Sequence, residues 1–69
     1  MTADRKARVT AQARAAAEAR RLSGLVETGL SRSLAGQFAL PAAEKLMAHT
    51  EALAERVREL HRLALEAAQ

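Results

Sequence analysis

The residues best suited to chemistry are two histidines and the glutamates in the last third of the chain. His49 and His61 are twelve residues apart, about 120° around a helix, whereas histidines that share a metal ion on a helix are spaced by four. The glutamates alternate with arginines at spacings of three and four, a pattern typical of ion pairs on a solvated helix surface. We therefore expect no metal site and no acid–base catalytic pair.

Cofactor chemistry has equally little support in the sequence. The chain has no cysteine, so it offers no thiolate ligand and no disulfide, which fits a reducing cytoplasm. Its three glycines, Gly24, Gly29 and Gly36, are too widely spaced for a phosphate-binding loop. These patterns predict a protein that is not an enzyme, with no catalytic residues, no cofactor and no metal.

Positive charge is concentrated near the N-terminus. Residues 2–23 contain six basic and two acidic side chains, a local net charge of +4, whereas the whole chain carries +3. On the predicted first helix, Lys6, Arg14, Arg21 and Arg32 would form a basic ridge suited to phosphates, on the side opposite its alanines and leucines. With one aromatic residue in the chain, stacking on bases has little support. Nucleic-acid binding remains an alternative function.

Two long helices are predicted to position these side chains. The break between them falls at 36–40, because Gly36 can adopt the left-handed conformation that ends a helix and Pro41 suits the first turn of the next. We expect one small domain over 1–69, with helices at about 4–35 and 41–67. The first helix is expected to be continuous, although a kink at Gly24 or Gly29 remains an alternative. The predicted fold is all-α, an antiparallel two-helix hairpin resembling a coiled coil.

Apolar periodicity predicts the contact between the helices. The second helix carries a seven-residue repeat, here called the 43–67 seam, made of Ala43, Leu46, Thr50, Leu53, Val57, Leu60, Ala64 and Ala67. The first helix carries a row at spacings of four, made of Leu22, Val26, Leu30 and Leu34. The predicted core is this row packed against Leu46, Leu53, Val57 and Leu60.

Several large apolar residues lie outside that core. Leu25 is off the row, Leu63 and Leu65 are off the seam, and Met47 widens the seam on one flank. We expect this set to form the partner-binding surface: Leu25, Met47, Leu63 and Leu65.

Composition explains why a partner is expected. Alanine accounts for 18 of the 69 residues, and alanine favours helix while contributing little buried area. A chain of this size buries only about 60% of its unfolded surface. The longest apolar run is far shorter than the roughly 20 residues that span a bilayer. These observations predict a cytoplasmic helical protein that gains stability from another protein or from another copy of itself.

Part of the sequence resembles a known family. The carrying residues are Ser33 to Gly36, Phe38, Pro41 and the stretch from Thr50 to Leu60, TEALAERVREL. They are similar to the small E-type co-chaperones of type III secretion needle subunits. That resemblance implies a helical hairpin that binds a tetratricopeptide-repeat chaperone and helps to keep a needle subunit unpolymerised. The alanine- and arginine-rich first helix and the place of Pro41 depart from the family pattern.

Three functions follow from these features. The preferred hypothesis is a non-enzymatic interaction module of the co-chaperone kind. The alternatives are a homo-oligomeric helical bundle and a basic nucleic-acid-binding protein.

Overall fold

The computed structural model describes residues 2–69 as two helices, α1 (Thr2–Leu34) and α2 (Leu40–Ala68), joined by a five-residue connection. The helices pack along their lengths, and the molecule measures 53 × 15 × 15 Å. No strand occurs among the described residues. The prediction of an all-α antiparallel hairpin is confirmed.

Gly36 ends α1. Its φ of +84° lies in the left-handed region, which glycine enters without the penalty that a Cβ would add. The Gly36 N–H donates to the Ser33 carbonyl and the Gln37 N–H to the Arg32 carbonyl, at 3.1 and 2.9 Å. These two bonds satisfy carbonyls that the helix end leaves without partners, in the pattern of a Schellman motif.

The start of α2 depends on backbone geometry alone. Ala39 is the N-cap in an extended conformation, and Pro41 lies in the first turn, where its missing N–H costs nothing. The alanine side chain cannot accept a hydrogen bond from the first turn. The turn also lacks an acidic residue, so α2 begins without either common stabilising feature.

α1 runs without a break through Gly24 and Gly29. At Gly29 the absence of a side chain brings the helices together, since a Cβ there would lie 2.9 Å from Cδ1 of Leu46. This contact fixes the register. Because the helices are antiparallel with equal rises, Leu22 then faces Leu53 and Ala15 faces Leu60.

The interior is small and uses alanine as much as leucine. The four buried apolar residues are Ala15, Ala19, Leu22 and Leu63. Around them, the half-buried residues of α2 include Leu46, His49, Leu53 and Leu60. The small residues of α1 leave space that the leucines of α2 fill.

Leu63 corrects the predicted partner surface. Its side chain is 8% exposed and packs between the helices rather than on the outside. The inner face of α2 passes through Leu46, Leu53 and Leu60, as predicted, but it uses His49 and Leu63 where the 43–67 seam would use Thr50 and Ala64. Leucine at 63 buries more apolar area against the alanines of α1 than Ala64 would.

Three residues of the predicted core are exposed instead: Leu30, Leu34 and Val57. A row at spacings of four turns about 40° around the helix at each step, so Leu34 lies about 120° from Leu22. The inner face of α1 follows spacings of three and four instead, through Leu22, Val26, Gly29 and Ser33. Leu22 is therefore core, Val26 is half-buried, and the end of the row turns outward.

The hairpin is extended for its mass. Its Cα radius of gyration is 15.7 Å, against about 11 Å expected for a compact chain of this length. Neither helix, over the described residues, is long and apolar enough to cross a membrane.

Candidate functional site: an exposed apolar face

One side of the hairpin carries most of its large exposed apolar side chains. We define the apolar face by Leu30 and Leu34 from α1 and by Met47, Val57 and Leu65 from α2. Their exposed fractions range from 51% for Leu30 to 90% for Leu34. Phe38 and Leu40 are also exposed, at the turn, where Phe38 lies beside Arg32 and Ala42.

Helix geometry brings these residues to one side. Leu30, Leu34 and Met47 lie one position, or about 100°, after residues of the inner face, as Leu30 follows Gly29 and Met47 follows Leu46, and Val57 lies one heptad after Thr50, which follows His49. Leu65 lies two positions after Leu63, at the outer edge of this side. Because both helices are right-handed and they run antiparallel, positions one residue after the inner face fall on the same side of the hairpin in α1 and in α2. Residues that precede the inner positions, such as Leu25 and Lys45, line a groove on the opposite side.

The centre of the apolar face has no charged side chain. In α2 it follows a second heptad repeat, here called the outer seam, made of Ala43, Met47, Thr50, Ala54, Val57, His61, Ala64 and Ala68. The positions of α1 that follow Ala11, Ala15, Leu22 and Gly29 are also uncharged, namely Gln12, Ala16, Ser23 and Leu30, whereas Arg20 and Glu27 lie at the outer edge, in the heptad position of Leu34. An uncharged strip over both helices is suited to packing against other helices.

The opposite side of the hairpin is charged. Arg21 donates two hydrogen bonds to Glu18, from Nε at 3.1 Å and from Nη2 at 2.5 Å. On α2, Nη1 of Arg56 lies 3.0 Å from Oε2 of Glu59. These four side chains border the same groove between the helices. We call this side, with its basic and acidic residues, the charged side.

The ion pair between Glu18 and Arg21 shifts the pKa of both side chains. The hydrogen bond from Arg21 lowers the pKa of Glu18 below its usual 4.5, and the charges of Arg21 and of Arg56 act in the same direction. The same hydrogen bond raises the pKa of Arg21. Arg56 belongs to α2 and borders the same groove as Glu18, so its charge acts on Glu18 from the facing helix.

The four residues predicted to bind a partner are not brought together. Met47 lies on the apolar face, at 63% exposure, and Leu65 lies at the outer edge of that face, at 52%. Leu25 lies on the other side of the hairpin, beside Arg32 and Lys45. Leu63 is buried between the helices.

Three residues of the exposed surface were predicted to lie in the core instead: Leu30, Leu34 and Val57. For Val57, the sequence contained an indication of exposure, because this residue belongs to the outer seam as well as to the 43–67 seam. Periodicity alone does not say which of two adjacent seams faces the neighbouring helix.

The histidines occupy different environments. His49 is half-buried and borders the groove with Leu25, whereas His61 is exposed on the outer seam. Among the described residues, no three side chains of the metal-binding types converge.

Comparison of the chain with protein-family models, with curated proteins and with solved structures gives no match. What points to a function is therefore the apolar face itself, together with the charged side opposite it.

Proposed function

We propose that the chain is a non-enzymatic interaction module that docks through its apolar face on helices of another polypeptide chain. The observation that carries this proposal is the exposure of Leu30, Met47 and Val57 on one side of a hairpin whose other side is charged. Soluble monomers rarely leave a contiguous apolar strip of this kind in water, and such strips mark interaction sites.

The exposed area supports the same conclusion. The hairpin exposes 5679 Å², whereas a compact monomer of its mass would expose about 4,200 Å². Two helices bury only one stripe of each, so the remaining apolar positions require a third helix or more. A partner that covers the apolar face would supply the missing burial.

The more specific form of the proposal is a co-chaperone. The resemblance to small E-type co-chaperones of needle subunits implies a cytoplasmic hairpin docked on a tetratricopeptide-repeat chaperone. Repeat proteins of that class present concave helical surfaces, which suit an apolar strip on a helical hairpin.

The arrangement of charges in the structure supports nucleic-acid binding less well than the basic composition of the sequence suggested. Arg21 and Arg56 are each paired with a glutamate of the same helix, so acidic side chains stand between the basic ones. A phosphate backbone would approach those carboxylates as well as the arginines.

In-cell photo-crosslinking tests the proposal. A photoreactive phenylalanine analogue replaces Met47 or Val57 on the apolar face, and in a matched control it replaces Lys45, which is exposed on the charged side of the same helix. We expect Met47 and Val57 to form protein adducts at least tenfold more strongly than Lys45. Mass spectrometry then identifies the attached chain.

Each outcome has a definite meaning. Adducts with a tetratricopeptide-repeat protein support the co-chaperone form, and adducts of twice the chain mass indicate self-association. Equal labelling at all three positions, or nucleic-acid adducts at Lys45 alone, would overturn the proposal. Circular dichroism of each variant checks that the hairpin is intact.

A further inference from the structure

We infer that the apolar face binds a second copy of this chain, forming an antiparallel four-helix dimer in which α2 packs along α2 of the partner subunit. This inference rests on the proposed function, because it names an occupant for the same face. Its support comes from the symmetry of the outer seam, its side-chain sizes, its polar groups and its area.

The residue spacing of the outer seam is the same when it is followed from either end. Its eight positions, from Ala43 to Ala68, are separated by 4, 3, 4, 3, 4, 3 and 4 residues. A two-fold axis that crosses α2 between positions 55 and 56 therefore brings every seam position against a seam position of the other copy. Isologous packing needs such a self-complementary surface.

Side-chain size is complementary in this register. Met47 meets Ala64 of the partner subunit, and Val57 meets Ala54 of the partner subunit, so each large residue faces a small one. Parallel pairing would instead place Met47 against Met47 and Ala64 against Ala64. Alternation of large and small residues across a helix interface gives dense packing.

Thr50, a polar residue of the seam, can be buried. The hydroxyl of Thr50 already donates to the Leu46 carbonyl at 2.8 Å, so its methyl group can be covered without leaving the hydroxyl unpaired. In the antiparallel register Thr50 meets His61 of the partner subunit in the interior of the seam, between the Met47–Ala64 and Ala54–Val57 contacts.

Charge at the edge of the seam favours the antiparallel orientation. Glu51 and Arg58 share the heptad position next to the outer seam, on the back of α2, and among residues 2–69 neither belongs to an ion pair; Arg58 also borders the charged groove. Antiparallel pairing brings Glu51 near Arg58 of the partner subunit, and the two-fold axis repeats the contact. Exposed pairs of this kind contribute little energy but help to select an orientation.

The available area matches what a dimer needs. The hairpin is 53 Å long and 15 Å wide, so one face projects about 800 Å², the amount that each partner buries in a standard-sized interface. The same antiparallel arrangement places the bulky turn end of one copy, with Leu30 and Leu34, over the alanine-rich open end of the other.

Single cysteines test the register directly, because the chain has none of its own. Met47→Cys and Ala64→Cys are purified separately, mixed and equilibrated in a glutathione redox buffer. In the proposed dimer Cys at 47 lies opposite Cys at 64, whereas two residues at 47 are about 25 Å apart along the axis. We expect the mixture to form disulfide-linked dimers at least tenfold more abundantly than either variant alone. Ala48→Cys, on an exposed position away from the apolar face, is the matched control.

Light scattering of the unmodified chain completes the test. A mass near twice 7.4 kDa at 100 µM, together with the mixed disulfide, supports the inference. A dimer without the mixed disulfide, or a monomer at that concentration, overturns it. The proposed function fails separately, by the absence of any apolar-face adduct in cells, and a monomer that crosslinks to another protein would leave it standing.

Discussion

At the scale of single residues, the glycines have different effects. Gly36 has the positive φ that ends α1, whereas Gly24 lies within the helix, with nothing within 4 Å of the place where a Cβ would stand. Gly29 is a third case, since its missing side chain makes room for Leu46. Only Gly24 is therefore a glycine that the fold does not use.

Alanine substitutions at Gly24 and at Gly36 should change the free energy of unfolding in opposite directions. We expect Gly24→Ala to raise the free energy of unfolding by about 0.5–1 kcal/mol, because helical glycine is entropically unfavourable. Gly36→Ala should lower it by about 1–2 kcal/mol, because a Cβ is strained at that φ. Urea unfolding followed by circular dichroism measures both. A stabilising Gly36→Ala would show that the turn readily adopts another conformation.

At the scale of the elements, the ends of the helices differ in quality. The end of α1 has two backbone hydrogen bonds and a glycine suited to its conformation. The start of α2 has Pro41 but no side-chain cap and no acidic residue in its first turn. The first turn of α2 is thus the weakest part of the secondary structure.

A better N-cap should strengthen α2. Ala39→Asp places a carboxylate where it can accept from the first-turn N–H groups and interact favourably with the helix dipole. We expect an increase of about 1 kcal/mol in the free energy of unfolding, measured by urea titration at neutral pH. The gain should shrink when the carboxylate is protonated, so the same titration at pH 3 is the control. An equal gain at both pH values would contradict the capping explanation.

At the scale of the whole molecule, the two off-seam leucines near the end of α2 have separate roles. Leu63 is buried against α1, whereas Leu65 belongs to the apolar face and is 52% exposed. The hairpin has few buried side chains, so each large one matters for its stability. Removing the Leu63 side chain should therefore test the stability of the fold, and removing the Leu65 side chain should test the docking surface.

Alanine substitution separates these roles. Leu63→Ala should lower the free energy of unfolding by about 2 kcal/mol or more, because it leaves a cavity between the helices. Leu65→Ala should cost less than about 1 kcal/mol at a concentration where the chain is monomeric, and it should weaken association instead. Urea unfolding and light scattering measure the two effects. Equal destabilisation by both variants would mean that Leu65 is also part of the hairpin core.

The sequence by itself determined the two helices, the break at Gly36 and Pro41, and the hairpin that follows from them. These depend on local preferences and on short-range periodicity, which a single sequence carries. It also indicated Met47 and Leu65 as surface residues, because neither belongs to the 43–67 seam.

Only the tertiary structure decided which apolar residues face inward. α2 has two overlapping heptad repeats that share Ala43, Thr50, Val57 and Ala64, and both satisfy the same periodic rule. The alanines of α1 and the gap at Gly29 select the face that contains Leu46 and Leu63, because leucines fill that space best. That choice depends on the shape of the neighbouring helix, so it buries Leu63 and leaves Val57 on the apolar face.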